Sequence, residues 1–141
     1  MFAAADHLAS GGFWSQAVAR SYYGVYVLVD AWARRQTQIA WPTYNDGSAR
    51  GSVPHSLAPR YAAAAFAAAS SGQVTTRAMN PPHVHKAAIQ LKDQRLLADY
   101  ISWVEIPEGS AVRMMRNARE IAGVLSKAVD AVALMPSVVK E

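Results

Sequence analysis

The sequence predicts an all-α protein, an antiparallel four-to-five-helix bundle in which a short leading helix precedes four main ones. It reads as a single domain over residues 1–141 with an ordered core of about 3–133. Three observations carry that expectation. Apolar residues return at steps of three and four over long stretches, no stretch alternates polar and apolar at the strand period, and Gly- and Pro-rich breaks separate the helical units. At 141 residues the chain is one domain by length. A chain of that size buries about two-thirds of its unfolded surface.

Residues 2–9 read as a short helix stopped by Ser10-Gly11-Gly12, with His7 on its surface. Residues 13–38 hold the strongest stripe, Val18, Tyr22, Val25, Val29 and Trp32, and leave Arg20, Tyr23, Asp30 and Arg34 off it. Residues 39–52, with Pro42, Asn45-Asp46-Gly47 and Gly51, carry turn chemistry and are expected to be mobile. Residues 53–70 start with Val-Pro-His and continue as an Ala-rich helix, Tyr61 to Ala69, with Pro54 and Pro59 in or just before its first turns. Its alanine run favours helix and close approach, and Tyr61 and Phe66 anchor it. Ser70 to Pro82 reads as a loop. Residues 83–103 and 107–133 are the last two helices, and the tail after Pro136 is expected to fray. The final helix presents Ala111, Met114, Met115, Ala118, Ile121, Ala122, Leu125, Val129 and Val132 on one face, with Arg113, Arg116, Glu120 and Lys127 opposite.

Composition narrows the function classes. With no cysteine, disulfides, thiolate metal sites and cysteine nucleophiles are excluded. A net charge of +4 leans towards an anionic partner without demanding one. Only 17% of residues are charged, which suggests that another subunit covers some apolar surface. No apolar run approaches the about 18 residues of a membrane span, and residues 1–9 lack a signal-peptide pattern, so the expectation is a cytoplasmic protein with no membrane partner.

The residue out of place is Arg95. The stripe Val84, Ala88, Leu91, Ala98 passes directly through it, and a charge on a core stripe needs a partner. Asp99, four residues on, shares its face. Arg20 and Tyr23 are three apart on the second helix and also share a face. His83 and His85 are two apart at a helix start, where they diverge, and no acidic or cysteine cluster completes a metal site. Neither a phosphate-binding glycine loop nor a nucleophile elbow is present, and no cofactor is expected.

Two stretches together resemble the small stand-alone branch of the HEPN-domain family. The first is Gly12 to Tyr26, with Ala17-Val18, Arg20, Tyr22-Tyr23 and Tyr26. The second is Arg95-Leu96-Leu97-Ala98-Asp99-Tyr100, followed by the helix containing Ala118-Arg119-Glu120. His55, ahead of the alanine-rich helix, is loosely similar to that branch's middle segment. The resemblance covers roughly residues 3 to 133. It implies a helical bundle that forms a homodimer and works with RNA or nucleotides. In many members it implies a toxin ribonuclease paired with a nucleotidyltransferase-like antitoxin. The family's catalytic signature is an arginine followed shortly by a histidine. Arg95 matches the arginine, but Asp99-Tyr100 stands where the histidine would fall. Tyrosine, with a pKa near 10, is a poor general base at neutral pH. Arg50 to His55 and Arg77 to His83 have a similar spacing but straddle proline-containing loops, and chance explains them better.

The leading expectation is therefore an RNA-, nucleotide- or partner-binding homodimer with a degraded ribonuclease motif. Its polar groove would comprise Arg20, Tyr23, Arg95, Asp99 and Tyr100. A toxin-type metal-independent endoribonuclease, with Arg95 and His55 as its catalytic candidates, is one alternative, and a structural subunit of a larger assembly is another. An Arg-Asp-Tyr network that merely ties two helices together accounts for the same residues about equally well.

Overall fold

The computed structural model of the chain describes residues 2–36, 41–69, 80–101 and 105–134, the last four of these as helical backbone. Five helices follow one another: α1 Ala3–Ser10, α2 Trp14–Arg34, α3 Ala58–Ala69, α4 Pro81–Tyr100 and α5 Glu108–Leu134. Among the described residues there is no strand, only one isolated bridge between Thr43 and Ala49. The protein is an all-α bundle, and none of its described helices is long and apolar enough to cross a membrane.

The core forms where the period-3.6 stripes meet. Val18, Tyr22, Val25, Val29 and Trp32 put one face of α2 into the interior, and all five are buried. That helix touches each of the other four, while α3, α4 and α5 also pack on one another. In α3, Ala62 and Ala65 are fully buried, their small side chains letting neighbouring backbones approach, and Phe66 fills the space beside them. From α5, Ala111, Met114, Met115, Ala118, Ile121, Ala122 and Leu125 are buried, whereas Val129 is half-buried and the side chain of Val132 lies outside those described. Arg113, Arg116, Glu120 and Lys127 are exposed.

The helix ends follow local chemistry, not always where the sequence pattern sets them. Gly12 takes a positive φ of 81°, which closes α1 and lets the Phe13 N–H donate to Leu8 O at 2.9 Å. The fourth helix begins at Pro81, inside the stretch read as loop. Asn80 caps it by accepting from the His83 N–H at 3.0 Å, and the two prolines occupy first-turn positions that need no donor. The third spans Ala58–Ala69, taking in the whole expected Tyr61 to Ala69 run and one further turn before it, while Val53 ahead of it docks onto α2. α2 runs to Arg34, and residues 37–38 of its expected span, with 102–103 at the end of α4's, lie outside the described residues.

The connection expected to be mobile is folded over residues 41–51. Gly47, with φ +87°, turns a small hairpin whose Ser48 N–H is held by Asp46 Oδ1 at 2.9 Å. The Trp41 indole donates to Arg50 O at 2.6 Å, and the Arg34 guanidinium sits 4.8 Å from the Trp41 ring centroid. Arg34 also donates to Gly51 O, so an α2 side chain staples both ends of the hairpin.

Candidate functional site

Arg95 lies where its stripe requires, with only 8% of its surface exposed between Leu91 and Ala98. Its guanidinium carbon is 5.7 Å from the Tyr22 ring centroid and 5.9 Å from that of Tyr23, both within cation–π range. Asp99 is its one ion-pair partner among the described residues, and the closest approach, Nη1 to Oδ2 at 3.6 Å, is too long for a hydrogen bond. Asp99 is 37% exposed and also accepts a long 3.4 Å bond from the Tyr23 hydroxyl. Arg95 Nε is buried with no hydrogen-bond partner among the described residues. The cation is thus enclosed by tyrosine faces and only weakly neutralised.

A histidine reaches this cluster from another part of the chain. Asp30 Oδ1 accepts from the Val53 N–H at 2.8 Å, and the Tyr26 hydroxyl donates to Val53 O at 2.5 Å. Both polar groups of that buried residue are therefore clamped by α2. Two residues on, the His55 ring stacks on Tyr26, with centroids 4.4 Å apart, and its Nδ1 is 2.6 Å from the Tyr22 hydroxyl. Burial first, then the charges of Arg95 and Lys92, holds the His55 pKa below the usual 6.5. The imidazole is consequently neutral at pH 7. Tyr22, raised well above its ordinary value chiefly by burial and only partly opposed by Arg95, keeps its proton.

Of the residues singled out in the sequence, Arg95, Asp99 and Tyr23 come together, and His55 joins them through Tyr22. Arg20 is exposed one turn before Tyr23. The two line a cleft of about 240 Å³ with Ala4, Gly24 and Val27, beside the Arg95 cluster rather than within it. Tyr100 stands apart. It is 78% exposed, and five residues beyond Arg95 it points about 140° around the helix from it. Arg50 is turned into the hairpin, 4.4 Å from the Tyr44 ring centroid, which makes its spacing to His55 incidental. Arg77 lies outside the described residues.

Lys92, Tyr26 and Asp30 were not among the candidates. Lys92 had a readable signal, since it precedes Arg95 by three residues and shares its side of α4. Among the described residues no three His, Asp or Glu side chains gather as a metal site would need, and His83 and His85 are exposed in the first turn of α4. The arrangement offers an anion a buried guanidinium, a nearby lysine, aromatic faces and a neutral imidazole. Comparison of the chain with protein-family models, with curated proteins and with solved structures finds no match.

Proposed function

We propose that the chain is a HEPN-like helical protein, working as a homodimer, that binds RNA or a nucleotide through a phosphate seated at Arg95. The observation that carries this reading is the state of that guanidinium. It is nine-tenths buried and backed by two tyrosine rings, and among the described residues its Nε has no hydrogen-bond partner and no carboxylate comes closer than Asp99 at 3.6 Å. A phosphate would supply the acceptors that Asp99 does not, and Lys92 adds a second positive charge nearby. Exposed Tyr23 surface suits base stacking. Homodimerisation rests on the family resemblance and on the scarcity of charge, with exposed Leu96 and Tyr100 four apart on α4 as a surface for it. A nucleotidyltransferase-like antitoxin as partner rests on the resemblance alone.

The test is fluorescence anisotropy of a labelled single-stranded RNA and a labelled nucleoside monophosphate at about 0.1 M salt. Arg95→Met should abolish measurable binding while the protein stays folded, and Arg95→Lys should retain a part of it. A folded Arg95→Met protein that binds both probes like the parent refutes the reading.

The position of His55 favours a second reading, a metal-independent endoribonuclease. In the tautomer whose Nδ1–H donates to Tyr22 Oη, the lone pair on Nε2 is free to take a proton. His55 would remove the proton of a ribose 2′-hydroxyl, whose oxygen then bonds to the adjacent phosphorus. The bond to the 5′-oxygen breaks and that oxygen takes a proton from water, leaving a 2′,3′-cyclic phosphate and a 5′-hydroxyl; His55 then returns its proton to solvent, and Arg95 stabilises the added negative charge in between. Cleavage of a mixed RNA pool that persists in chelator and disappears in His55→Gln supports it; RNA left intact by the unmodified protein rules it out.

A further inference from the structure

We propose that the cleft between α1, the start of α2 and α5 binds a small organic monoanion, a carboxylate carried on a flat apolar body. The cleft has a volume of about 460 Å³ and is lined by Asp6, Ala9, Trp14, Val112, Met115, Arg116 and Arg119. That size lies within the roughly 300–1,000 Å³ of small-molecule sites. Its inner surface is apolar. Met115 is buried, the Trp14 indole is half-buried, and Val112 leaves 40% of its surface uncovered beside them.

The charged rim sets the sign of the ligand. Arg119 is held by the Asp6 carboxylate and lies 5.3 Å from the Phe2 ring centroid. It is the arginine of the Ala118-Arg119-Glu120 segment, and its pairing ties α1 to α5. Arg116, one turn earlier on the same side, has neither ion pair nor hydrogen bond among the described residues. Among the lining residues two arginines stand against one aspartate, an excess of one positive charge. A carboxylate satisfies a guanidinium bidentately, and a flat ring attached to it would reach the indole and methionine surface. None of the Arg95 cluster lines this cleft, so the site does not depend on what Arg95 binds.

The test titrates 2-naphthoate into the full chain and follows the tryptophan indole N–H resonances, that of Trp14 being identified with Trp14→Phe. The Trp14 resonance should shift saturably. The neutral analogue 2-naphthalenemethanol and the exposed-site variant Arg116→Gln should each weaken binding by at least about tenfold, whereas Arg95→Met should leave it unchanged. A Trp14 resonance that does not move up to the solubility limit overturns the proposal. So does equal affinity for the alcohol, which is measured on the unmodified protein, or naphthoate binding that is indifferent to Arg116.

Discussion

Replacing Arg95 with methionine separates a ligand site from a structural network, because the two assign opposite signs to the buried charge. On the loss side stand two cation–π contacts at 5.7 and 5.9 Å, together about 2–3 kcal/mol when desolvated. The ion pair to Asp99, long and open to solvent on the carboxylate side, adds at most about 1 kcal/mol. On the gain side, methionine removes the unpartnered Nε, worth about 1–3 kcal/mol, and relieves the desolvation of the cation itself. Asp99 is left free to hydrate. The methionine side chain keeps most of the packing against Tyr22, since it fills irregular apolar space readily. The terms nearly cancel, and the expected change in unfolding free energy is within about 1 kcal/mol of zero, in either direction. Urea unfolding followed by far-ultraviolet circular dichroism measures it. A loss of about 3–5 kcal/mol is the penalty for breaking a buried pair that holds the fold together, and it would refute the reasoning. A stable Arg95→Met protein shows that the arginine is retained for something other than stability.

Two further outcomes follow from the clamp on Val53. Asp30→Ala removes the acceptor of the Val53 N–H and the partner of Arg34, and should destabilise the protein by about 1–3 kcal/mol in the same unfolding assay. The His55 resonance should broaden or shift as the ring loses its register on Tyr26. For His55 itself, the folded pKa lies below the unfolded value near 6.5, so between the two the unfolded chain binds more protons. The stabilisation is fully present above about pH 6.5 and declines as pH falls towards the folded pKa, and His55→Gln should flatten that part of a stability–pH curve. A parent and variant whose urea midpoints fall in parallel below pH 6.5 would show that His55 is not the titrating group.

The parts of this fold that were legible are those a single helix determines. The stripe through Arg95 follows from the 3.6-residue period, and Asp99 as its neighbour follows from spacing alone. The same rule speaks against grouping Tyr100 with them, because five residues do not return to the same side of a helix. The start of α4 was also readable: asparagine followed by two prolines is a capping residue followed by first-turn residues, although prolines in a polar stretch more often suggest a loop. The hairpin was not readable in this way. What orders it is Arg34 reaching Trp41 and Gly51 from α2, and contacts between distant residues leave no periodic trace. The same holds for His55, whose place depends on Asp30 and Tyr26 finding the backbone of a residue more than twenty positions away.

The two halves of the site are electrically connected, which gives their juxtaposition a consequence that neither half has alone. Arg95 and Lys92 help to hold His55 neutral, so a phosphate seated on Arg95 would cancel part of that influence and raise the affinity of the imidazole for a proton. By linkage, protonation of His55 must strengthen phosphate binding by the same factor. A simple binding protein would therefore hold its anion more tightly at acid pH. In a ribonuclease the same coupling has a chemical direction, because the imidazole becomes a stronger base as the phosphate arrives beside it. Tyr22, against Arg95 through its ring and His55 through its hydroxyl, touches both groups while its own proton stays in place. Its place in the core stripe is thus compatible with a second role, fixing the separation over which the two charges interact.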